Sequence, residues 1–346
     1  MKKLAEKLYT HGDLSDEELV RLIETDDPSV SQALVTYADA VRREHYGDKV
    51  FLRGLIEISS YCRNDCLYCG IRRSNLTAER YRLTPDEILD CCGIGYELGF
   101  RTFVLQGGED MSFTDDVTVP LIAEIRRRYP DCAITLSLGE RSRESYRLMK
   151  EAGADRYLLR HEAASHELYS RLHPDKMTLE SRKRCLYDLR ELGYQVGAGF
   201  MVGAPFQTTE HIIADLRFMQ ELRPHMIGIG PFVPHHCTPF ADMKGGTLGL
   251  TLRLLGIIRL MFPKVLLPAT TALGTIAPNG RELGLKTGCN VVMPNLSPSA
   301  VRKKYDLYDN KLSVGAEAAE GLEALRRQIS AAGYTAVSER GDCVII

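Results

Sequence analysis

The chain has 346 residues, 44% of them apolar, with 44 basic and 46 acidic side chains and a formal net charge of −2. This length supports one large hydrophobic core or two smaller ones, and the balanced charge excludes a basic face for nucleic acid or an anionic membrane. The N-terminus lacks the apolar segment of a secretory signal, and no apolar run reaches the roughly 20 residues of a membrane span. We therefore expect a cytoplasmic protein with small-molecule or protein partners.

Residues 1–48 are predicted to form a helical N-terminal extension, in which Ser15 and Glu18 have the spacing of a capping box. From residue 49 onward, short apolar or β-branched runs alternate with longer amphipathic ones, which is the pattern of βα units and a parallel sheet. The candidate strands lie at residues 50–59, 102–106, 133–137, 156–160, 195–201, 226–230, 265–270 and 291–294.

About eight units over roughly 290 residues predict a complete (β/α)8 TIM barrel that takes in residues 49–346 as one domain. A helix between its first two strands is well marked, because Thr84 can cap it, Pro85 takes its first position, Glu87 completes a capping box and Gly99 ends it. In such barrels the chemistry is carried by the loops that follow the strands. We therefore look for function in those loops.

The first of these loops, SYCRNDCLYCG at residues 60–70, holds Cys62, Cys66 and Cys69 in the pattern Cys-x3-Cys-x2-Cys. Structural zinc favours four ligands, usually in two pairs, and no second Cys or His pair appears at suitable spacing. A cubane iron–sulfur cluster can use three thiolates and leave one iron open to a substrate. The spacing favours an iron–sulfur cluster, with zinc or chance as alternatives. The other seven cysteines are interpreted as buried hydrophobes or surface thiols.

This spacing at the end of the first strand, with an aromatic residue before the third cysteine, resembles the radical S-adenosylmethionine (SAM) superfamily. The resemblance implies one 4Fe-4S cluster on the three cysteines, with SAM bound to the open iron and cleaved by one electron. It also implies a glycine-rich turn near the methionine part of SAM, a carboxylate at the ribose and an arginine at the SAM carboxylate. The cofactor-binding residues implied are Tyr68, Gln106, Gly107, Gly108, Ser137, Glu162, Arg182, Met201 and Ile229.

Longer stretches are similar to one family of that superfamily, the FeFe-hydrogenase maturases called HydE, over about residues 47–310. They are VLQGGED, TLSLGE, GADRYLLRHE, MIGIGPFVPH, PATTALGT and NVVMPNLSP. The similarity implies action on a small thiol-bearing iron carbonyl/cyanide complex during assembly of the hydrogenase cofactor (the H-cluster), with partner maturases and an electron donor. It also implies a closed cavity whose substrate-facing residues are Thr135, Ser137, Arg156, Arg160, Thr270, Thr271 and Tyr305.

Two departures from the family pattern bear on the prediction. Residues 311–322 contain no cysteine, whereas some family members carry a second cluster in this region, so we expect one cluster. In the loop HHCTPF at residues 235–240, His236 and Cys237 replace an expected proline and aspartate, and we leave them out of the predicted site.

Alternative functions stay open at this point. One is a radical SAM mutase or sulfur-insertion enzyme acting on a small amino acid, as in methylornithine synthase or biotin synthase. Another is a non-catalytic scaffold for an iron fragment. Arg156 and Arg160 share one face of their strand, and two such arginines are costly inside a barrel unless they meet an anion or pair with acidic loop residues.

Overall fold

The computed structural model describes residues 2–313 and 319–344, in which helices alternate with parallel strands. The strands are β1 (Lys49–Leu52), β2 (Gly54–Ser59), β3 (Thr102–Gly107), β4 (Ala133–Ser137), β5 (Arg156–Leu158), β6 (Gln195–Ala198), β7 (Met201–Val202), β8 (Met226–Ile227), β9 (Gly230–Pro231), β10 (Val291–Val292) and β11 (Thr335–Val337). The helices are α1 (Lys2–His11), α2 (Asp16–Glu24), α3 (Pro28–Tyr46), α4 (Pro85–Glu97), α5 (Asp115–Arg128), α6 (Arg143–Glu151), α7 (His166–Leu172), α8 (Leu179–Glu191), α9 (Thr209–Leu222), α10 (Leu248–Met261), α11 (Thr271–Ile276), α12 (Gly280–Lys286), α13 (Ser299–Arg302) and α14 (Leu322–Ala331), with a 3-10 turn at Ala319–Gly321.

Six strands form one parallel sheet in the spatial order β2-β3-β4-β5-β6-β8, so successive strands of the chain lie side by side. This order follows from successive βα units of one hand. Strands β10, β1 and β11 form a second parallel sheet, and β7 pairs with β9. Isolated parallel bridges extend the pairing beyond β8 and back to β2, at Met226–Leu266, Pro268–Val291 and Leu55–Asn295. The fold is therefore α/β with parallel strands, as predicted.

Two predicted strands are interrupted in the structure. Arg53 separates β1 from β2, and its buried guanidinium donates a hydrogen bond to the Gly341 carbonyl at 3.1 Å. Gly199 follows β6 with a φ of +149°, and a Cβ there would lie 2.0 Å from the carbonyl oxygen of Gly228. Because only glycine tolerates such an approach, the chain bends there and resumes as β7.

The seventh predicted strand and the last observed one differ from expectation. Residues 265–270 form isolated bridges at Leu266 and Pro268 and no continuous ladder, since a proline has no N–H to donate. Strand β11 was not predicted, because it is short and flanked by polar residues. It pairs with β1 on the side opposite β10.

The three N-terminal helices pack against helices of the βα units. Helices α1 and α3 contact α10, and α2 contacts α9. Helix α2 begins at the predicted capping box, where Ser15 Oγ accepts from the Glu18 amide at 3.3 Å and the Glu18 carboxylate accepts from the Ser15 amide at 3.2 Å. Arg42 of α3 is fully buried and donates to the carbonyls of Gly47, Lys49 and Cys289. These bonds fix α3 beside the start of β1.

Helix α4 has the termini that the sequence predicts. Thr84 Oγ1 accepts from the Glu87 amide at 3.2 Å, and the Glu87 carboxylate accepts from the Thr84 amide at 2.8 Å. Pro85 occupies the first turn, and Gly99 takes the left-handed conformation with a φ of +94° just after the helix. Both helix boundaries are therefore set by local hydrogen bonding and glycine geometry.

The C-terminal tail crosses the end of the sheet where the strands begin. Thr102, the first residue of β3, donates to the Arg340 carbonyl at 2.8 Å, and Arg156, the first residue of β5, pairs with Asp342. The loops that follow the strands meet at the opposite end, where a cavity opens. In the described part of the chain, no helix combines the length and the apolar character needed to cross a membrane.

Candidate functional site

The three cysteines after β2 line one cavity of ≈ 350 Å³ at the carboxyl end of the strands. Burial raises the pKa of all three thiols, that of Cys69 to about 12, and neighbouring thiols raise the pKa of Cys66 further. Three thiolates that face one cavity can serve together as ligands of one metal centre.

The cysteine loop is held in place by its own polar side chains. The Asp65 carboxylate accepts from Arg72 Nε at 2.8 Å and from the Ser74 amide at 3.0 Å. Burial acts to raise the pKa of Asp65, but these partners lower it to about 2. The guanidinium of Arg80 donates to the carbonyls of Ile71 and Arg72 at 2.8 and 2.7 Å. The loop is therefore shaped before any ligand binds.

Tyr68, the aromatic residue before the third cysteine, lies in the cavity wall, and its hydroxyl is 3.1 Å from His173 Nε2. The His173 Nδ1 lies 2.9 Å from the Tyr169 carbonyl, which can only accept. His173 therefore carries its proton on Nδ1, and Nε2 accepts from the Tyr68 hydroxyl. Burial lowers the pKa of His173 to about 3, so the ring stays neutral and Tyr68 has a fixed orientation.

The glycine-rich turn after β3 also faces the cavity, at Gln106, Gly107, Gly108 and Glu109. A Cβ at Gly108 would lie 2.2 Å from the Tyr61 carbonyl oxygen and 2.8 Å from the Cys62 Cβ. Glycine is thus required here by the close approach of the cysteine loop itself. Sequence reasoning assigned the turn to a ligand and overlooked this contact between the two loops.

Glu109 joins the turn to the loop after β4. Its carboxylate accepts from the Glu140 amide at 3.0 Å and from Arg63 Nε at 2.9 Å. Gly139 has a φ of +77°, and a Cβ there would lie 1.8 Å from the Glu109 side chain. Glu109 belongs to the motif VLQGGED and lines the cavity, but it was omitted from the predicted site.

Glu162 and Arg160 follow β5 and meet in the cavity, where Arg160 Nη2 lies 3.1 Å from Glu162 Oε2. The pair is not aligned as a hydrogen bond, and Arg160 Nε, Arg160 Nη2 and Glu162 Oε2 are buried without a hydrogen-bond partner. Glu162 also has a left-handed backbone with a φ of +64°, which is uncommon for a residue other than glycine. Buried polar atoms in this state can take a partner from a ligand or from ordered water.

Arg182 of α8 lies beside this pair. Its Nη1 donates to the Arg160 carbonyl at 3.1 Å, and its Nε is 2.8 Å from Glu140 Oε1. Burial acts to lower the pKa of Arg182, but Tyr169 and Glu140 raise it overall, so the guanidinium is charged. The cavity therefore holds a fixed positive charge next to the thiols.

Five other predicted residues also lie in the cavity wall. Ser137, Met201, Thr270, Thr271 and Tyr305 all line the cavity. The Thr270 hydroxyl is buried without a hydrogen-bond partner. A Cβ at Gly230 would lie 2.8 Å from this hydroxyl, so any larger residue at position 230 would crowd it. Burial raises the pKa of Tyr305 well above its ordinary value, so this hydroxyl is protonated.

The prediction that Arg156 faces the cavity is wrong. Its side chain is buried at the start of β5, where Nη2 lies 2.6 Å from Asp342 Oδ1 and 2.7 Å from the Arg340 carbonyl. It pairs with an acidic residue of the tail at the other end of the strands and does not line the cavity. Two further predicted residues, Thr135 and Ile229, are also buried in the core outside the cavity lining.

Several lining residues were not predicted. They are Asn64, Ile71, Glu109, Gly139, Leu158, Leu159, Gly230, Pro231, Phe232, Val233, Ala272, Leu307 and Tyr308. Many belong to the loops that follow the strands. Their place in those loops is the one sequence feature from which they could have been predicted. Most are apolar or glycine, so their composition gives no chemical clue.

Comparison with known proteins places these features in a family. A profile of the Radical SAM superfamily matches residues 56–219. The FeFe hydrogenase maturase subunit HydE of Thermotoga maritima is 46% identical over 313 residues, which cover 90% of this chain and 89% of that protein. The 3-methylornithine synthase of Methanosarcina acetivorans is 29% identical over 314 residues, covering 90% and 88% of the two chains.

Solved structures share the fold. The crystal structure of methylornithine synthase (PylB) superposes with a TM-score of 0.84 at 27% identity, covering 96% of this chain and 97% of that one. The FeFe-hydrogenase maturase HydG superposes with a TM-score of 0.82 at 20% identity, covering 98% and 77%, which shows a common fold alone. With 46% identity across most of both chains and three thiols converging on one cavity, the chain belongs to the HydE family of radical SAM enzymes.

Proposed function

We propose that this enzyme cleaves SAM reductively at a single 4Fe-4S cluster held by Cys62, Cys66 and Cys69. The observation that carries the proposal is the convergence of three buried thiols on a cavity whose wall also contains buried polar atoms without partners. When bound together, such a cluster and SAM supply a one-electron cleavage of the sulfonium carbon–sulfur bond. The protein has to orient SAM and a second molecule and to exclude water.

Individual residues suit these tasks. The Glu162 carboxylate, whose Oε2 has no hydrogen-bond partner, can accept two hydroxyls of a ribose, and Arg182 brings a positive charge to a carboxylate. Backbone carbonyls of the turn at residues 106–108 can accept from an ammonium group. Apolar contact comes from Met201, while Tyr68 shapes the wall beside the cysteines.

We infer that the second molecule is a small thiol-bearing iron carbonyl/cyanide complex used in assembly of the FeFe-hydrogenase cofactor. The similarity to HydE supports this reaction, together with partner maturases and an electron donor. In the cavity, Arg160, Thr270, Thr271 and Tyr305 offer cationic and hydroxyl groups suited to a small anion. A site inside the barrel also limits the access of solvent to a radical and to an air-sensitive complex.

The proposal includes a complete (β/α)8 barrel at residues 49–346 with the segment 1–48 outside it. The isolated bridges at Leu266, Pro268 and Asn295 support closure, because they link the last strand of the six-stranded sheet back to β2. One cluster is proposed because residues 311–322 contain no cysteine, although residues 314–318 lie outside the described residues.

Anaerobic reconstitution tests the cluster. The wild type should bind about four irons per chain and give a reduced spectrum that changes when SAM is added, while replacement of all three loop cysteines by alanine should abolish both. Cys91→Ala is the matched control, since this buried helix thiol lies outside the cavity lining. An unchanged cluster in the triple variant would exclude the assignment.

Product analysis separates the enzyme from a scaffold. Reduction with dithionite in the presence of SAM should yield 5'-deoxyadenosine, whereas a non-catalytic scaffold would yield none. In vitro hydrogenase maturation, with this protein as the only varied component, then tests the substrate class. Active hydrogenase should form with the wild type and should not form with the triple cysteine variant.

A second candidate is a carbon-skeleton rearrangement of a small amino acid. It is supported by the 29% identity to 3-methylornithine synthase and by the superposition that covers 97% of methylornithine synthase. No maturation activity with a competent set of partners, combined with stimulation of SAM turnover by an amino acid, would favour this reading.

A further inference from the structure

Three side chains of the types that bind metal ions lie together at residues 235–237, in the loop that follows β9. His235 is buried, Cys237 is half-buried and His236 is exposed, and one ligand atom from each lies within 4.8 Å of the others. In the described part of the chain, no other three His, Cys, Asp or Glu side chains have ligand atoms this close together. The loop lies outside the cavity that the cluster cysteines line.

His236 is oriented by Asp309. The His236 backbone amide donates to Asp309 Oδ2 at 3.0 Å, and its ring Nδ1 donates to Oδ1 at 2.7 Å. The ring proton is therefore fixed on Nδ1, which leaves the lone pair of Nε2 available. Histidines that bind metals in proteins commonly donate their other ring N–H to a carboxylate in this way.

His235 shows the same relationship with a different carboxylate. Its Nε2 lies 3.3 Å from Asp306 Oδ2, and its Nδ1 accepts the backbone N–H of Cys237 at 3.0 Å. The ring proton is therefore on Nε2, and the Nδ1 lone pair faces Cys237. The two imidazole rings stack with centroids 4.5 Å apart, and the Cys237 thiol lies 3.3 Å from Thr77 Oγ1.

We propose that His235, His236 and Cys237 bind one divalent transition-metal ion, with Asp306 and Asp309 orienting the two histidines. Two imidazoles and a thiolate are donors of borderline softness, which select Zn²⁺, Co²⁺ or Fe²⁺ over Mg²⁺ and Ca²⁺. Binding releases the thiol proton to solvent, and the metal replaces the Cys237 amide as the partner of His235 Nδ1. Metal–ligand bonds of about 2.0–2.3 Å require the three donor atoms to converge and the two stacked rings to rotate, because a metal ion lies in the plane of each imidazole that binds it.

Three protein ligands leave a coordination position for an external ligand. His235 and His236 border a surface cavity of ≈ 380 Å³ whose wall also contains Lys303 and Lys304. Lys304 pairs with Glu79 at 3.3 Å. The wall also contains the carboxylates of Glu79 and Asp306, which balance the two lysines, so the metal itself and not the charge of the wall would select the external ligand.

The proposed metal site adjoins the outer side of the cysteine loop. A Cβ at Gly70, the residue after Cys69, would lie 2.4 Å from His235 Cδ2, and the Gly70 amide donates to the Leu307 carbonyl at 2.8 Å. The two sites therefore share a loop but have separate ligands. Metal bound at residues 235–237 would stiffen the segment that carries the third cluster cysteine.

The test uses protein with a reconstituted cluster, so that the thiols of Cys62, Cys66 and Cys69 are occupied. Zn²⁺ is titrated against a chromophoric chelator, and Co²⁺ is added in parallel as a spectroscopic probe. We expect one equivalent of Zn²⁺ beyond the cluster iron and a thiolate-to-cobalt charge-transfer band. His236→Ala and Cys237→Ser should each abolish tight binding, and Asp309→Asn should weaken it about 10- to 100-fold.

His166→Ala is the matched control, because His166 is an exposed histidine that pairs with Glu180 on another surface, and it should leave the titration unchanged. The iron content and cluster spectrum of each variant verify that it is folded. Full Zn²⁺ stoichiometry in both loop variants would overturn the proposal. Should a variant fail to fold, the wild-type Co²⁺ spectrum decides, since a spectrum without a thiolate band overturns the proposal equally.

Discussion

Asp342 and Arg156 form an ion pair, with Oδ1 and Nη2 2.6 Å apart, that joins the C-terminal tail to the first residue of β5. The Arg156 side chain is only 4% exposed, whereas that of Asp342 is 41% exposed. Burial acts to raise the pKa of Asp342, but Arg156 and Arg340 hold it well below its ordinary value. The tail is therefore bound to the strands by charge as well as by packing.

Asp342→Asn should lower the free energy of unfolding by about 2 kcal/mol, because it leaves the buried Arg156 without its anion. This value is below that of a fully buried pair, since Asp342 is partly exposed and Arg156 keeps its bond to the Arg340 carbonyl. Urea unfolding measures the change. Glu339→Gln removes an exposed pair with Lys49 and should cost less than about 1 kcal/mol. Equal effects of the two substitutions would contradict this account.

The same pair predicts a pH dependence. The folded pKa of Asp342 is lowered, so the ion pair contributes fully above the unfolded value of about 3.9. The contribution is lost as pH falls below that value and through the folded pKa. The difference in unfolding free energy between wild type and Asp342→Asn should therefore be constant from about pH 7 to 5 and smaller at about pH 3. A difference that is the same at all three values would exclude the mechanism.

Gly108→Ala should disrupt the cysteine loop, because its Cβ would lie 2.2 Å from the Tyr61 carbonyl oxygen. We expect a loss of stability of about 1–3 kcal/mol and a lower yield of reconstituted cluster. Gly249→Ala is the control, since no atom lies within 4 Å of its Cβ and alanine favours a helix by up to about 1 kcal/mol. Normal iron content in Gly108→Ala would show that the contact is tolerated.

Glu162→Gln should weaken SAM binding about tenfold, because an amide accepts hydrogen bonds less strongly than a carboxylate. Its cluster spectrum should stay that of the wild type, since Glu162 is not among the proposed cluster ligands. Equilibrium binding of SAM to the reconstituted protein measures the change, with Glu180→Gln as the exposed control. Parallel loss of SAM binding and iron would indicate that Glu162 has a structural role.

Arg160→Ala should reduce the stimulation of SAM turnover by an anionic substrate at least tenfold, because it removes the cationic side chain proposed to meet that substrate. The contact with Arg182 uses the Arg160 backbone carbonyl and is kept, whereas the ion pair with Glu162 is lost, so SAM affinity is measured in parallel. Rates of 5'-deoxyadenosine formation with and without substrate give the comparison. Arg143→Ala, which breaks a surface ion pair, serves as the control and should leave both rates unchanged.

The sequence predicted most of the strand positions and the position of the cysteine loop, because both depend on local pattern and spacing. It placed Arg156 wrongly, because the period of two along a strand specifies the face of a side chain and not its depth. Arg156 and Arg160 are four residues apart, or about 13 Å along a strand, which is enough to put them at opposite ends of the interior. The lining by Phe232, Leu307 and Tyr308 depends on how distant loops meet, and no local pattern records that.

The number of paired residues differs from one pair of neighbouring strands to the next, and this difference affects how readily their amides exchange. Strand β3 is joined to β2 and β4 by ladders of five registered pairs each, whereas the segments near Leu266 and Asn295 are joined by single bridges. Local opening costs less free energy where fewer bonds must break. Amide deuterium exchange should therefore be slower along β3 than at the single bridges of Leu266 and Asn295. A substrate that enters beside Thr270 would therefore pass the part of the barrel wall where adjacent strands are joined by single bridges.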